Sequence, residues 1–205
     1  AGIASGITAG NAAYDWNCTG IHTGTTATCS APRLYAVSST VASGSGSISA
    51  SQNVGYLATP SFTVTPSAGW IVQSVSGCGG SLSGSTYTTG AVTAACSVSA
   101  TFVAIVNGAC GTDHGATLVA SPTQLCTSGN SSAVTAGQSA FAWSCAGANT
   151  GATASCGATR HYRVSTSITG SGTLSAPIDA AYGTTPTIAV TPQSGHLVQS
   201  VSGCG

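Results

Sequence analysis

Hydrophobic and hydroxyl-bearing residues alternate along much of this chain with a period of two. In SFTVT, Phe62 and Val64 fall on one face, and in CSVSATF so do Cys96, Val98, Ala100 and Phe102. Phe141, Trp143 and Cys145 likewise share a face, which sets an aromatic pair beside a cysteine. That period belongs to β-strands with one buried face. No stretch carries the 3.6-residue period and caps of a helix. Gly and Pro punctuate the strands, in SGSGS at 43–47, TPS at 65–67 and GCGGSLSGS at 77–85. The pattern predicts an all-β chain in units of roughly 50–70 residues, small enough that disulfides must supplement a limited core.

The pattern is also written twice. YDWNC at 14–18 returns as FAWSC at 141–145, a shift of 127 residues from Trp16 to Trp143. At the same shift Cys29 falls on Cys156 and Arg33 on Arg160. One deletion later, QSVSGCG at 73–79 recurs letter for letter at 199–205, a shift of 126. A long period repeated in tandem is the mark of an array. The alternation and the repeat together predict an elongated tandem array of small disulfide-stapled β modules, for which a sandwich-like packing is one arrangement. The expected segments are residues 1–32, the C-terminal part of a cysteine-bearing module; 33–103, a second kind of module; 104–159, a complete cysteine-bearing module; and 160–205, the N-terminal part of another module of the second kind.

Charge removes several partners. Only 3% of residues are charged: Arg33, Arg160 and Arg163 against Asp15, Asp113 and Asp179, with no Lys or Glu. Three scattered arginines cannot displace the counterions of nucleic acid or hold an anionic lipid surface. No apolar run approaches the roughly 18 residues of a spanning helix, so membrane insertion is not expected. The absence of an initiating Met and a signal peptide fits a mature or excised fragment. Net charge is zero and mean hydropathy is +0.32, which argues against disorder and favours self-association.

Nine cysteines lacking zinc-ribbon spacing read as oxidised staples and point to an extracellular location. Cys78–Cys96 would close the 33–103 module. In AWSCAGANTGATASC, a turn at Thr150-Gly151 would set Cys145 opposite Cys156, leaving Cys110–Cys126 by elimination. Four cysteines permit three pairings. Cys18 and Cys29 match Cys145 and Cys156 and are expected to be bonded; the counterparts of their companions Cys110 and Cys126 would lie before residue 1. Cys204 matches Cys78, and the counterpart of Cys96 would lie after the last residue.

The stretch at 44–102 resembles the divergent InlB B-repeat, or bacterial repeat, family. The resemblance rests on its GxIS opening, on FTVTPSAGW followed by VQSVSG, and on the closing VTAACSVSATF. It implies small β-rich, β-grasp-like units set in tandem in large secreted or surface-anchored bacterial proteins, associated with adhesion and spacing. The VNGACG…LC…WSC…SC segment is similar to cysteine-bearing modules that alternate with such repeats. The family brings no catalytic residues.

The repeat tests for hidden chemistry. Asp15 is replaced by Ala142, His22 by Asn149, His161 by Leu34, Asp179 by Asn53, His196 by Trp70 and Arg163 by Ala36; only Arg33 and Arg160 recur. A unit that exchanges its titratable groups so freely is not built around a fixed acid–base constellation. Asp113-His114 among serines lacks a nucleophile elbow. Three isolated aspartates cannot form a calcium loop, and no cofactor is expected. A lysine isopeptide cross-link is excluded. Asn17-Cys18-Thr19 and Asn130-Ser131-Ser132 are formal glycosylation sequons. Tyr14, Trp16, Trp70, Tyr87 and Trp143 are candidates for a sugar-stacking platform, with Trp70 the possible ligand contact.

The function expected is a structural or adhesive repeat segment of a large secreted bacterial surface protein or extracellular fibre, acting as stalk or filament unit. Its expected partners are copies of itself or neighbouring repeats. The alternative is a carbohydrate-binding module that takes surface glycans.

Overall fold

The computed structural model describes residues 2–204, and it is all-β: strands and no helix, hence no helix able to cross a membrane, occur among the described residues. The chain divides into two compact units, Ala1–Ile105 and Val106–Gly205.

The first unit begins with a cysteine-bearing hairpin. Strands Ala13–Gly20 and Ala27–Pro32 pair antiparallel with Trp16 opposite Cys29, and the short strands Gly2–Ala4 and Thr8–Ala9 edge the other side of Ala13–Gly20. A sandwich follows. One sheet runs in the order Gln52–Gly55, Leu34–Ser43, Cys96–Ala104, Trp70–Ser76; the other runs Ser81–Ser83, Thr86–Thr88, Ser61–Pro66, Gly46–Ile48. The first and last long strands lie side by side and parallel.

Alternation decides which side chains enter the core. Phe62 and Val64 from one sheet and Tyr35, Val37, Val98, Ala100 and Phe102 from the other form a single cluster, closed by Tyr87 and Val92. The Tyr87 hydroxyl, which cannot be buried unpaired, donates to the Gly77 carbonyl at 2.6 Å. Gly46 lies where a Cβ would strike the Phe102 ring, so no larger residue fits without displacing it. Two sheets sharing one core make this module sandwich-like.

In the second unit, Ala140–Ala146 and the long strand Ala154–Val164 form the central antiparallel pair. Asn130–Ser131 and Thr135–Ala136 edge Ala140–Ala146, Thr117–Leu118 runs parallel to Ala154–Val164, and Ile178–Ala181 pairs with the end of that strand. Phe141, Trp143, Cys145, Cys156 and Ala158 are the core, covered by the small hairpin of Ala109–Cys110 and Cys126–Ser128. A ribbon of Gly172–Leu174 and Val190–Pro192 completes the unit.

The cysteine pairing departs from expectation. Cys78 is bonded to Cys96, but Cys110 is bonded to Cys156 and Cys126 to Cys145, with Cα separations of 5.7 and 5.8 Å. The cause is the turn. Asn149 and Thr150, not Thr150 and Gly151, are its central residues, both with positive φ (54° and 66°), and the Gly151 amide closes it on the Ala148 carbonyl at 3.0 Å. Cys145 therefore faces Ala154, and Cys156 faces Trp143. The two cysteines become diagonal neighbours on one face, Sγ atoms 3.6 Å apart, and each is taken by a cysteine of the covering hairpin. The bonds thus fasten the hairpin to the sheet. Cys18 and Cys29, expected to be bonded, are free thiols with Sγ atoms 3.3 Å apart, and Cys204 is an exposed thiol.

Candidate functional site

The feature that both copies share is a clamp around Arg33 and Arg160. Arg33 lies between the end of strand Ala27–Pro32 and the start of Leu34–Ser43. Its guanidinium stands 5.7 Å from the centre of the Tyr14 ring and 5.1 Å from that of Tyr35, and Nη1 donates to the Gly10 carbonyl at 3.0 Å. Tyr14 belongs to the hairpin and Tyr35 to the sandwich, so one cation holds a ring of each. The Tyr35 hydroxyl returns the contact by donating to the Asn11 carbonyl at 2.8 Å.

The second unit repeats this group for group. The Arg160 guanidinium lies 5.4 Å from the Phe141 ring and 4.8 Å from the Tyr162 ring, with Nη1 donating to the Gly137 carbonyl at 2.8 Å. The Tyr162 hydroxyl donates to Gln138 at 3.0 Å. Here the strand does not break at the junction: Ala154–Val164 passes through Arg160, pairing with Ala140–Ala146 before it and Ile178–Ala181 after it. Cation–aromatic contacts favour Arg because its flat guanidinium stacks while its N–H groups still reach a carbonyl. The signal was present in the sequence as the one charged position kept in both copies; its role was not.

The candidate aromatics scatter into structural duties. Tyr87 and Trp143 are core residues, and the Trp143 Nε1–H donates to the Leu125 carbonyl at 2.7 Å, tying the covering hairpin to the sheet. Trp70 is half-buried against the sandwich core, opposite Ala104. Tyr14 is held by Arg33.

Polar candidates are engaged with the backbone. Asp113 Oδ2 accepts the amides of Thr123 and Gln124 at 2.7 and 2.8 Å and so fixes that loop. His114 Nδ1 accepts the Gly157 amide at 3.1 Å. The two neighbours thus serve different partners. Cys110, His114 and Cys156 bring ligand atoms within 4.8 Å of one another, but the two sulfurs are joined, which leaves one imidazole as a ligand. His22 occupies the left-handed turn position that Asn149 holds in the other copy.

Asp179 pairs with Arg163 through both oxygens, at 2.7 and 2.8 Å, across the register of the strands that carry them. The hydrogen bond from Arg163 holds the Asp179 carboxyl below its usual range. A shallow groove beside it is lined by Asp113, Leu118, Pro122, His161 and Asp179; both carboxylates are already engaged. A second groove is lined by Tyr162, Val164, Tyr182, Pro186 and Ile188, with the two tyrosine rings 6.4 Å apart.

No family model, curated protein or solved structure matches this chain.

Proposed function

We propose that the chain is a structural or adhesive repeat segment of a large secreted bacterial surface protein or extracellular fibre, serving as stalk or filament unit in an elongated array. The carrying observation is the junction built twice from the same parts: an arginine between a ring of each module and a hydroxyl returned across the joint, with an unbroken strand through the second. A repeated joint that admits little rotation is what a spacer requires, since a spacer transmits position rather than chemistry. Three disulfides support an oxidising, extracellular setting. A surface nearly empty of charge supports lateral association. Electron microscopy of the native material tests this reading. Filaments or thin surface stalks with an axial repeat are the expected result; isolated compact particles would refute it.

A further inference from the structure

The hairpin at residues 2–32 matches its counterpart in the second unit bond for bond. Trp16 faces Cys29 as Trp143 faces Cys156, Cys18 faces Ala27 as Cys145 faces Ala154, and Ala4 faces Cys18 as Ser131 faces Cys145. What differs is the cover. In the second unit the segment at 106–128 lies over the face, so that Trp143, Cys145 and Cys156 are all buried. Trp16, Cys18 and Cys29 are only half-buried, both thiols are free, and no described residue accepts a hydrogen bond from the Trp16 indole. The chain's own 106–128 segment is committed to Cys145 and Cys156.

We propose that the face bearing Trp16, Cys18 and Cys29 is a docking site for a two-cysteine segment of the 106–128 type from a further repeat of the array, fixed by two disulfides. The cysteine corresponding to Cys110 bonds Cys29, the one corresponding to Cys126 bonds Cys18, and a carbonyl corresponding to that of Leu125 accepts the Trp16 N–H. Each bond joins two thiols. The two protons and two electrons leave to a low-molecular-weight disulfide, which is reduced to two thiols. The proposal rests on the array reading and names what covers the open face of the cysteine-bearing hairpin.

The test uses the full chain carrying Cys204→Ser, which silences the exposed thiol, and a synthetic peptide of residues 106–128. The hydrogen bond from Cys18 holds the Cys29 thiol above its usual range, so exchange is run in a glutathione redox buffer at about pH 8.5. The expected product is one peptide per chain, with mapped bonds from peptide Cys110 to Cys29 and from peptide Cys126 to Cys18. A seated peptide presents its thiols at roughly millimolar effective concentration, so at micromolar peptide it should couple about tenfold or more faster than a scrambled peptide with the same cysteine spacing. Closure of Cys18 onto Cys29 without peptide, reversed bonds, or equal coupling of the scrambled peptide would overturn the proposal. A disulfide-linked dimer of the chain alone would also overturn it, by placing the occupant in a second copy. These outcomes are read by mass, so they stand apart from the microscopy that tests the array.

Discussion

Replacing Arg33 with Ala should loosen the hairpin at residues 2–32 while leaving the sandwich at 34–104 intact. Two cation–ring contacts at 5.7 and 5.1 Å contribute about 0.5–1 kcal/mol each in a half-exposed setting. The bond from Nη1 to the Gly10 carbonyl adds about 1 kcal/mol once its exchange with water is counted. A loss of about 2 kcal/mol corresponds to a roughly thirtyfold rise in local opening. Native-state hydrogen exchange reads this directly, because amides report the opening of the element that holds them. Paired amides of Ala13–Gly20 and Ala27–Pro32 should exchange about thirtyfold faster, while Phe62, Val98 and Ala100 keep their protection. Arg33→Lys should recover part of the effect, because the ammonium keeps the charge but not the flat stacking surface. If protection fell equally in hairpin and sandwich, or in neither, the clamp would not be what joins them.

Reductant should lower the melting temperature of the second unit most. In chain-entropy terms, closures spanning 19 and 46 residues contribute about 3 and 4 kcal/mol, and coincident melting of reduced and oxidised protein would refute the staple reading. Trp143→Phe should cost about 1–3 kcal/mol in chemical denaturation, because the Leu125 carbonyl loses its indole donor. The depressed Asp179 carboxyl contributes stability above the usual carboxylate range and loses it as pH falls through its lowered value; Asp179→Asn should therefore match the parent in strong acid and fall slightly below it at neutral pH, in thermal melts. Varying salt at neutral pH should leave assembly nearly unchanged, since the described residues hold one ion pair for salt to screen; filaments dissolving on a salt step, followed by light scattering, would contradict this.

The faces of the strands were legible because a period of two fixes which side chain turns inward. Phe62, Val64, Val98, Ala100 and Phe102 are all buried as that period requires. The same period does not name a partner. The parallel contact between Leu34–Ser43 and Cys96–Ala104 joins residues far apart in sequence, and no local pattern encodes it. The cysteine pairing was lost on a single residue of turn phase. Asn149-Thr150-Gly151 offers two adjacent dipeptides as the turn centre, and moving from one to the other shifts every facing pair by two. The clamp was half visible: two arginines recur with Tyr35 and Tyr162 two residues on, but the opposing Tyr14 and Phe141 rings lie 19 residues back on strands whose approach only the folded chain supplies.

The strand Cys96–Ala104 has a bearing on how the protein is made. It fills the gap between Leu34–Ser43 and Trp70–Ser76, and Val37 receives Cys96 as its neighbour only after nearly 60 further residues have been added. At a synthesis rate of about 5–20 residues per second, the opening strand waits roughly 3–12 s with one edge bare. Cys78 waits a shorter time for Cys96, 18 residues on, or about 1–4 s at the same rate. Each such module closes only when its last strand arrives, and an array of them would mature in order along the nascent chain, with one bare edge travelling at its growing end.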